Sequence, residues 1–141
     1  INGRYCPVFL LLLFVWFFGC ICTYRIGKYV LVEGEGVKSP EFVMLCLHGV
    51  GILLFVWVPD VGKWWLCAVL TAWIVLQFFC HWFYTIFGAS EKKLKGYNEC
   101  FRNTVHLFPA SDKRLIPDLY HILLHLLLLL DLTLTVLVIL R

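Results

Sequence analysis

Four long stretches of this sequence carry almost no charge. They cover residues 5–24, 42–58, 64–87 and 119–140, and Asp131 is the only charged residue within them. An α-helix rises about 1.5 Å per residue, so about 20 apolar residues cross the hydrocarbon core of a bilayer. Backbone polar groups inside lipid must be hydrogen-bonded within their own helix. The sequence therefore predicts an all-α integral membrane protein with four transmembrane helices in a compact bundle, forming one membrane domain over residues 1–141.

Composition narrows the function classes. Hydrophobic residues make up 62% of the 141 residues, which leaves too little polar surface to cover such a core in water. The net charge of +3 is spread over loops that also contain Glu and Asp, so we expect membrane lipids as partners and no nucleic acid. The sequence contains no Gly-rich phosphate loop and no ordered catalytic triad, and it therefore favours a protein that is not an enzyme.

The 12 Lys and Arg residues predict an orientation. With four crossings, both termini and the short second loop share one side, and the longer first and third loops share the other. The side of the termini holds Arg4, Lys63 and Arg141, whereas the other side holds Arg25, Lys28, Lys38, Lys92, Lys93, Lys95, Arg102, Lys113 and Arg114. Positive loops stay on the side that is not translocated. We therefore expect a bacterial plasma membrane or an organelle inner membrane, with the long loops in the cytoplasm or matrix.

The third loop contains a pattern typical of an amphipathic helix. Apolar residues recur there at helical spacing and fall within a narrow arc, namely Leu94, Tyr97, Phe101, Val105 and Phe108. Lysine and arginine side chains project elsewhere, and Pro109 follows the pattern. The sequence predicts a short helix over about 91–108 that lies on the membrane surface and binds either lipid or a partner subunit.

Polar residues inside the predicted spans are costly to bury and are the best functional candidates. Four of them fall within about a 120° arc of the last span, namely His121, His125, Asp131 and Thr135. Gln77 and His81 are four residues apart in the third span and share a face. We expect both faces to point into the bundle. The opposite face of the third span carries Ala68 and Ala72, a small pair that lets another helix approach closely.

Three histidines are predicted to lie at one depth. His48, His81 and His125 each stand seven residues from the inner end of their span. Each imidazole should therefore lie about 10 Å inside the membrane face that meets the basic loops. Two facing imidazoles can hold the iron of a haem b, and a histidine near the interface can bind a quinone. A metal site is not expected, because no ligand cluster has the tight spacing of helix-borne sites.

The sequence favours a non-catalytic polytopic subunit or assembly partner of a larger membrane complex, such as a respiratory or other energy-converting complex. Short loops and spans rich in Phe, Trp and Leu leave apolar surface for neighbours, and the histidines then only cross-link the helices. The first alternative is an electron-transfer module that binds haem or quinone. The second is a component of an ion, proton or solute transporter, supported by Asp131 and by the helix-weakening Gly49 and Gly51.

Overall fold

The computed structural model describes residues 5–141 and is mostly helical, with 68% of the residues in helices. In chain order the elements are α1 (Tyr5–Phe17), a 3₁₀ turn (Phe18–Cys20), β1 (Tyr24–Ile26), β2 (Tyr29–Val32), α2 (Pro40–Trp57), α3 (Pro59–Gln77), a π-helical turn (Phe78–Trp82), α4 (Phe83–Phe87), α5 (Glu91–Cys100) and α6 (Leu119–Ile139).

Three segments within the described residues are long and apolar enough to cross a membrane. They are α2, the continuous 29-residue helix made of α3, the π-helical turn and α4, and α6. The first apolar segment forms a shorter helix over Pro7–Cys20 instead of the predicted span over 5–24. The chain turns at Gly19, where the missing side chain leaves room for the rings of Tyr24 and Tyr120. The structure thus confirms membrane-length helices, with three candidate spans.

Prolines and short polar side chains set the starts of the long helices. Pro40 and Pro59 stand in the first turns of α2 and α3, where the missing N–H is not needed. Ser39 caps α2, and the Asp118 carboxylate caps α6 by accepting the backbone N–H of His121 at 2.9 Å. Because Pro59 can begin a helix, α3 starts earlier than hydropathy alone predicts.

The first loop contains a two-stranded antiparallel sheet, so the prediction of an all-α fold is wrong in this loop. Strands β1 and β2 are rich in Tyr, Ile and Val, which favour extended backbone, and Gly27 supplies a positive φ of 58° between them. The N–H of Val105, in the third loop, donates to the carbonyl of Val30 in β2 at 3.1 Å. The hairpin therefore joins the first and third loops at one end of the helices, which we call the loop end.

The predicted interfacial helix over 91–108 is only partly formed. Helix α5 begins after its cap Ser90 and ends at Cys100. Val105 lies beyond the helix, because its N–H bonds to the hairpin, and Phe108 lies in an irregular segment with 56% of its surface exposed. The helix prediction is therefore wrong for residues 101–108.

The apolar face of α5 packs against its own protein. Leu94 and Tyr97 are buried with Leu115 in a small cluster, and Phe101 is partly buried beside them. This cluster covers the loop end of the long helices. Leu94 and Tyr97 are therefore buried by the protein itself and not by a bilayer surface.

The main core lies between α1, α2, α3 and α6. Leucines at helical spacing contribute much of it, and the most deeply buried are Leu10, Leu13, Leu66, Leu70, Leu124 and Leu128. Helix α3 packs against both α2 and α6, and α1 packs against α6 and α2. Each buried leucine side chain makes many close carbon contacts that stabilise the packed helices. This core fixes the rotation of each helix about its axis, which decides where the polar side chains meet.

Two glycines allow α2 and α3 to approach closely. A Cβ at Gly62 would overlap the backbone of Phe55 and Leu54 at the end of α2. A Cβ at Gly51 would lie 2.6 Å from a methyl group of Leu66. Helix α2 runs unbroken through Gly51, so this glycine serves helix packing and does not interrupt the helix.

Replacing Gly62 with alanine should destabilise the protein by about 3 kcal/mol, because the overlap is with backbone that cannot move aside. The matched control is Gly96→Ala in α5, where an added Cβ meets nothing within 4 Å. That change should stabilise the helix by about 1 kcal/mol. Thermal unfolding in detergent, followed by circular dichroism, measures both. Equal unfolding temperatures for the two variants would contradict this account of the α2–α3 contact.

Candidate functional site

The π-helical turn places His81 inside the protein. It interrupts the regular α-helix between α3 and α4 and contains residues 78–82. Such turns change the direction in which later side chains point, and they occur often at functional sites. Within the turn, His81 has only 6% of its surface exposed, whereas Phe79 and Cys80 face outward. The turn therefore aims one imidazole at α5 and α6.

Three imidazoles meet at this point, and we call His81, His121 and His125 the histidine cluster. The ring centroids of His81 and His121 lie 4.5 Å apart with an angle of 32° between the ring planes. The rings of His81 and His125 lie 5.6 Å apart in an edge-to-face arrangement. His121 and His125 stand one turn apart on α6, and both are 7% exposed. The cluster joins the continuous 29-residue helix to α6.

Each histidine of the cluster has a polar partner. Tyr97 of α5 and Nδ1 of His81 share a hydrogen bond of 2.6 Å. His121 Nδ1 and an oxygen of Asp118 are also 2.6 Å apart, and His125 Nε2 lies 3.1 Å from the amide oxygen of Gln77. These contacts hold the rings in fixed orientations, which is what a buried polar network requires.

Asp118 binds His121 twice, through the backbone N–H and through the imidazole. Burial tends to raise the pKa of Asp118, but the hydrogen bonds from His121 outweigh this effect and lower the pKa below the ordinary value. Burial raises the pKa of the Tyr97 phenol. At neutral pH the loop end of the histidine cluster therefore contains one carboxylate and one protonated phenol.

A cavity of about 240 Å³ opens beside the histidine cluster. His81 and His121 line it together with residues from β2, the hairpin exit, α2, α5 and the 3₁₀ turn. Neither His81 Nε2 nor His121 Nε2 makes a hydrogen bond to any residue in the range 5–141. Two buried imidazoles thus border a space that a small molecule can enter.

His48 lies elsewhere in the core. Its Nε2 is 3.1 Å from the carbonyl oxygen of Leu10 in α1, and its ring stacks on Phe14 at 6.2 Å. Within residues 5–141 it makes no ring contact with the histidine cluster. Of the three histidines predicted at one depth, the structure brings together His81 and His125, adds His121, and leaves His48 separate.

Asp131 and Thr135 are buried further along α6, at 1% and 0% exposure. The two carboxyl oxygens of Asp131 and the hydroxyl of Thr135 have no hydrogen-bond partner within the described part of the chain. Leu128 lies between them and the histidine cluster and is fully buried. Asp131 and Thr135 therefore form a second polar site, away from the cavity.

The ring geometry bears on the cofactor hypotheses. A haem iron bound by two histidines lies between ring nitrogens and in the plane of each ring. His81 and His121 instead face each other through their ring surfaces. In the part of the chain that the structure describes, no group of three His, Cys, Asp or Glu side chains is placed to hold a metal ion. The arrangement is better suited to hydrogen bonding with an organic molecule.

Sequence reasoning missed three members of this site. Asp118 is not among the candidate residues, Tyr97 is predicted only as part of an apolar arc, and the π-helical turn leaves no distinct sequence pattern. The signal for Asp118 was its spacing of three residues from His121, which allows a cap to reach a side chain in the first turn. No comparable signal was available for Tyr97, because its partner His81 lies 16 residues away.

Comparison of the chain with protein-family models, with curated proteins and with solved structures finds no match.

Replacing Thr135 with valine should stabilise the protein by about 1–2 kcal/mol, because it removes a buried hydroxyl that has no partner. The control is Thr133→Val on the same helix, where the hydroxyl donates to the carbonyl of Leu129 at 2.7 Å on an exposed face. That variant should gain no stability. Thermal unfolding of both variants in the same detergent provides the measurement. Destabilisation by Thr135→Val would mean that the hydroxyl does have a partner.

Replacing Asp118 with alanine should destabilise the protein by about 1–3 kcal/mol at pH 7, because α6 loses its cap and His121 its partner. The folded-state pKa of Asp118 is lowered, so its ionisation stabilises the fold above about pH 4 and this contribution is lost as pH falls through the folded pKa. The difference between wild type and variant should therefore shrink below about pH 4.

The control for this experiment is Asp112→Ala, which removes an exposed carboxylate in the same loop. Unfolding temperatures of the three proteins between pH 3 and pH 7 make the comparison. A constant difference between wild type and Asp118→Ala over this range would contradict a stabilising charge on Asp118.

Proposed function

We propose that this protein is a non-catalytic membrane subunit that works by packing against other membrane-spanning proteins. The observation that carries the proposal is the outward face of α3, where two small residues lie between large ones. Ala68 and Ala72 are exposed and stand one turn apart. Trp64 precedes them with 60% of its surface exposed, and Leu76 follows them with 51% exposed. We call this surface the alanine face.

Association in lipid depends on close packing, since the surrounding acyl chains are as apolar as the helix surface. A pair of alanines lets the backbone of a second helix approach closely and gain van der Waals contact and weak hydrogen bonds. The large side chains at either end of the alanine face would then pack around that helix. The occupant that we propose is a transmembrane helix of another subunit.

We propose that α1 makes a fourth crossing of the membrane. Leu10, Leu13 and Phe17 of α1 are buried in the core. The indole N–H of Trp16 donates to the carbonyl of Tyr120 at 3.3 Å, and the hydroxyl of Tyr120 donates to the carbonyl of Trp16 at 2.5 Å. A helix tied to α6 in this way would share its depth. Residues 5–20 extend over about 24 Å as a helix, somewhat less than the hydrocarbon core.

With α1 as a crossing, the loop end carries nine of the 12 Lys and Arg residues, as counted in the sequence. The hydrogen bond between Val105 and Val30 favours placing both long loops on the same side. Positive loops remain in the cytoplasm or matrix, so we propose that the loop end faces that compartment. The composition of this chain is similar to that of small apolar subunits in energy-converting membrane complexes. We therefore propose such a complex as the larger assembly.

The test is purification of the tagged protein from its native membrane in a mild detergent. We expect a defined complex in which other membrane proteins are present in fixed stoichiometry. The double variant Ala68→Leu with Ala72→Leu should lose those proteins, because the added side chains hold a second helix away. The matched control is Val56→Phe, which adds similar bulk to an exposed position on α2 and should keep them.

Two outcomes would contradict the proposal. In the first, the wild-type protein migrates alone on native gels. In the second, the double alanine variant keeps its partners as fully as the Val56→Phe control does. Circular dichroism of each purified variant establishes that the helices are intact in all samples.

A further inference from the structure

The cavity beside the histidine cluster is acidic, although it lies at the basic end of the protein. Three carboxylates line it, those of Glu33, Glu35 and Glu41, and Lys93 is the one basic residue in its wall. Three negative charges and one positive charge leave a local balance of −2, whereas the whole chain has a net charge of +3. Three of the nine acidic side chains of the sequence therefore border one cavity of about 240 Å³.

These carboxylates are not neutralised by the basic residues nearby. In the described part of the chain, no ion pair involves Glu33, Glu35 or Glu41. The ammonium group of Lys93 lies over the ring of Tyr84, 4.9 Å from its centroid. Glu33 accepts a hydrogen bond from the amide of Asn103 at 3.1 Å, which holds the carboxylate in place without cancelling its charge. The cavity thus attracts a cation.

The acidic residues come from separate elements, which favours an extended cation over a single metal ion. No three acidic, histidine or cysteine side chains within residues 5–141 converge closely enough to hold one metal ion. The carboxylates instead approach the cavity from separate places, the exit of β2 and the first turn of α2. Separate charges around one space fit an elongated molecule that carries positive charge at both ends.

The remaining wall fits a polar end group and a short hydrocarbon chain. His81 and His121 are more than nine-tenths buried, and their Nε2 atoms have no partner within the described residues. His121 uses its Nδ1 to bond to Asp118, which leaves Nε2 for a ligand. Val32 and Phe101 supply apolar surface on the same cavity. An aromatic ring next to a cation adds further attraction.

We propose that this cavity binds a small aliphatic diamine in its diammonium form. One ammonium group donates hydrogen bonds to the carboxylates of Glu33 and Glu35, and the other lies near Glu41 and His121. The methylene chain between them contacts Val32 and Phe101. This inference concerns the loop end and is independent of the alanine face, so either proposal can fail without the other.

Putrescine is the probe, and the protein is used as the full chain in a neutral maltoside detergent. Isothermal titration calorimetry should show saturable binding of putrescine at low ionic strength that weakens as salt is added. Butanediol has the same chain without charge, and succinate has a similar length with the opposite charge. Neither should bind. Saturation-transfer NMR on the methylene protons of putrescine gives a second readout.

The variants Glu35→Gln and Glu41→Gln should each weaken putrescine binding about fivefold, because each removes one partly screened charge. Glu91→Gln is the matched control, since this exposed carboxylate on α5 lies outside the cavity wall. It should leave the affinity unchanged. All three changes keep the shape of the side chain, and unfolding temperatures verify that the fold is intact.

The proposal is overturned if putrescine shows no saturable binding, or if Glu91→Gln weakens binding as much as the two cavity variants do. Binding of succinate would show that the local field is positive. Binding of a short-chain quinone in place of putrescine, with loss after His121→Phe, would assign the cavity to a neutral ligand and overturn the proposal.

Discussion

The structure depends on how polar side chains are accommodated inside an apolar helical core. Helix α6 presents His121, His125, Asp131 and Thr135 to the interior, all of them buried. An imidazole or carboxylate in such surroundings costs several kcal/mol unless it is hydrogen-bonded. At the loop end, His121 bonds to the Asp118 cap of its own helix, and His125 bonds to Gln77 of α3. Deeper in the core, the carboxyl oxygens of Asp131 and the hydroxyl of Thr135 have no partner among residues 5–141, and neither has Nδ1 of His125.

The membrane-length helices can be predicted from the sequence, because absence of charge and high hydropathy are properties of one continuous segment. The sequence also places Gln77 on the same helix face as His81, because spacing within one helix is a local property. The meeting of His81 with His121 could not be predicted, since it needs the π-helical turn and the rotation of two helices. His48 shows the same limit, because equal depth does not determine which way a ring points. The hairpin and the end of α5 depend on contacts between loops far apart in sequence.

Two surfaces of the protein have different physical character. The alanine face is apolar and exposed along α3, and it suits contact with another helix. The cavity at the loop end is polar and acidic, and it borders the histidine cluster. A subunit that packs through one surface and binds a small cation through the other would combine an assembly role with sensitivity to a soluble ligand.

His81, His121 and His125 form one cluster, and His48 lies outside it. Solid-state NMR of protein labelled with ¹³C and ¹⁵N only at histidine, in lipid bilayers, tests this directly. Five histidines give few signals, and single substitutions assign them. Ring-to-ring cross-peaks should connect His81 with both His121 and His125, while His48 shows none. Cross-peaks between His48 and His125, or an isolated His81, would contradict the account.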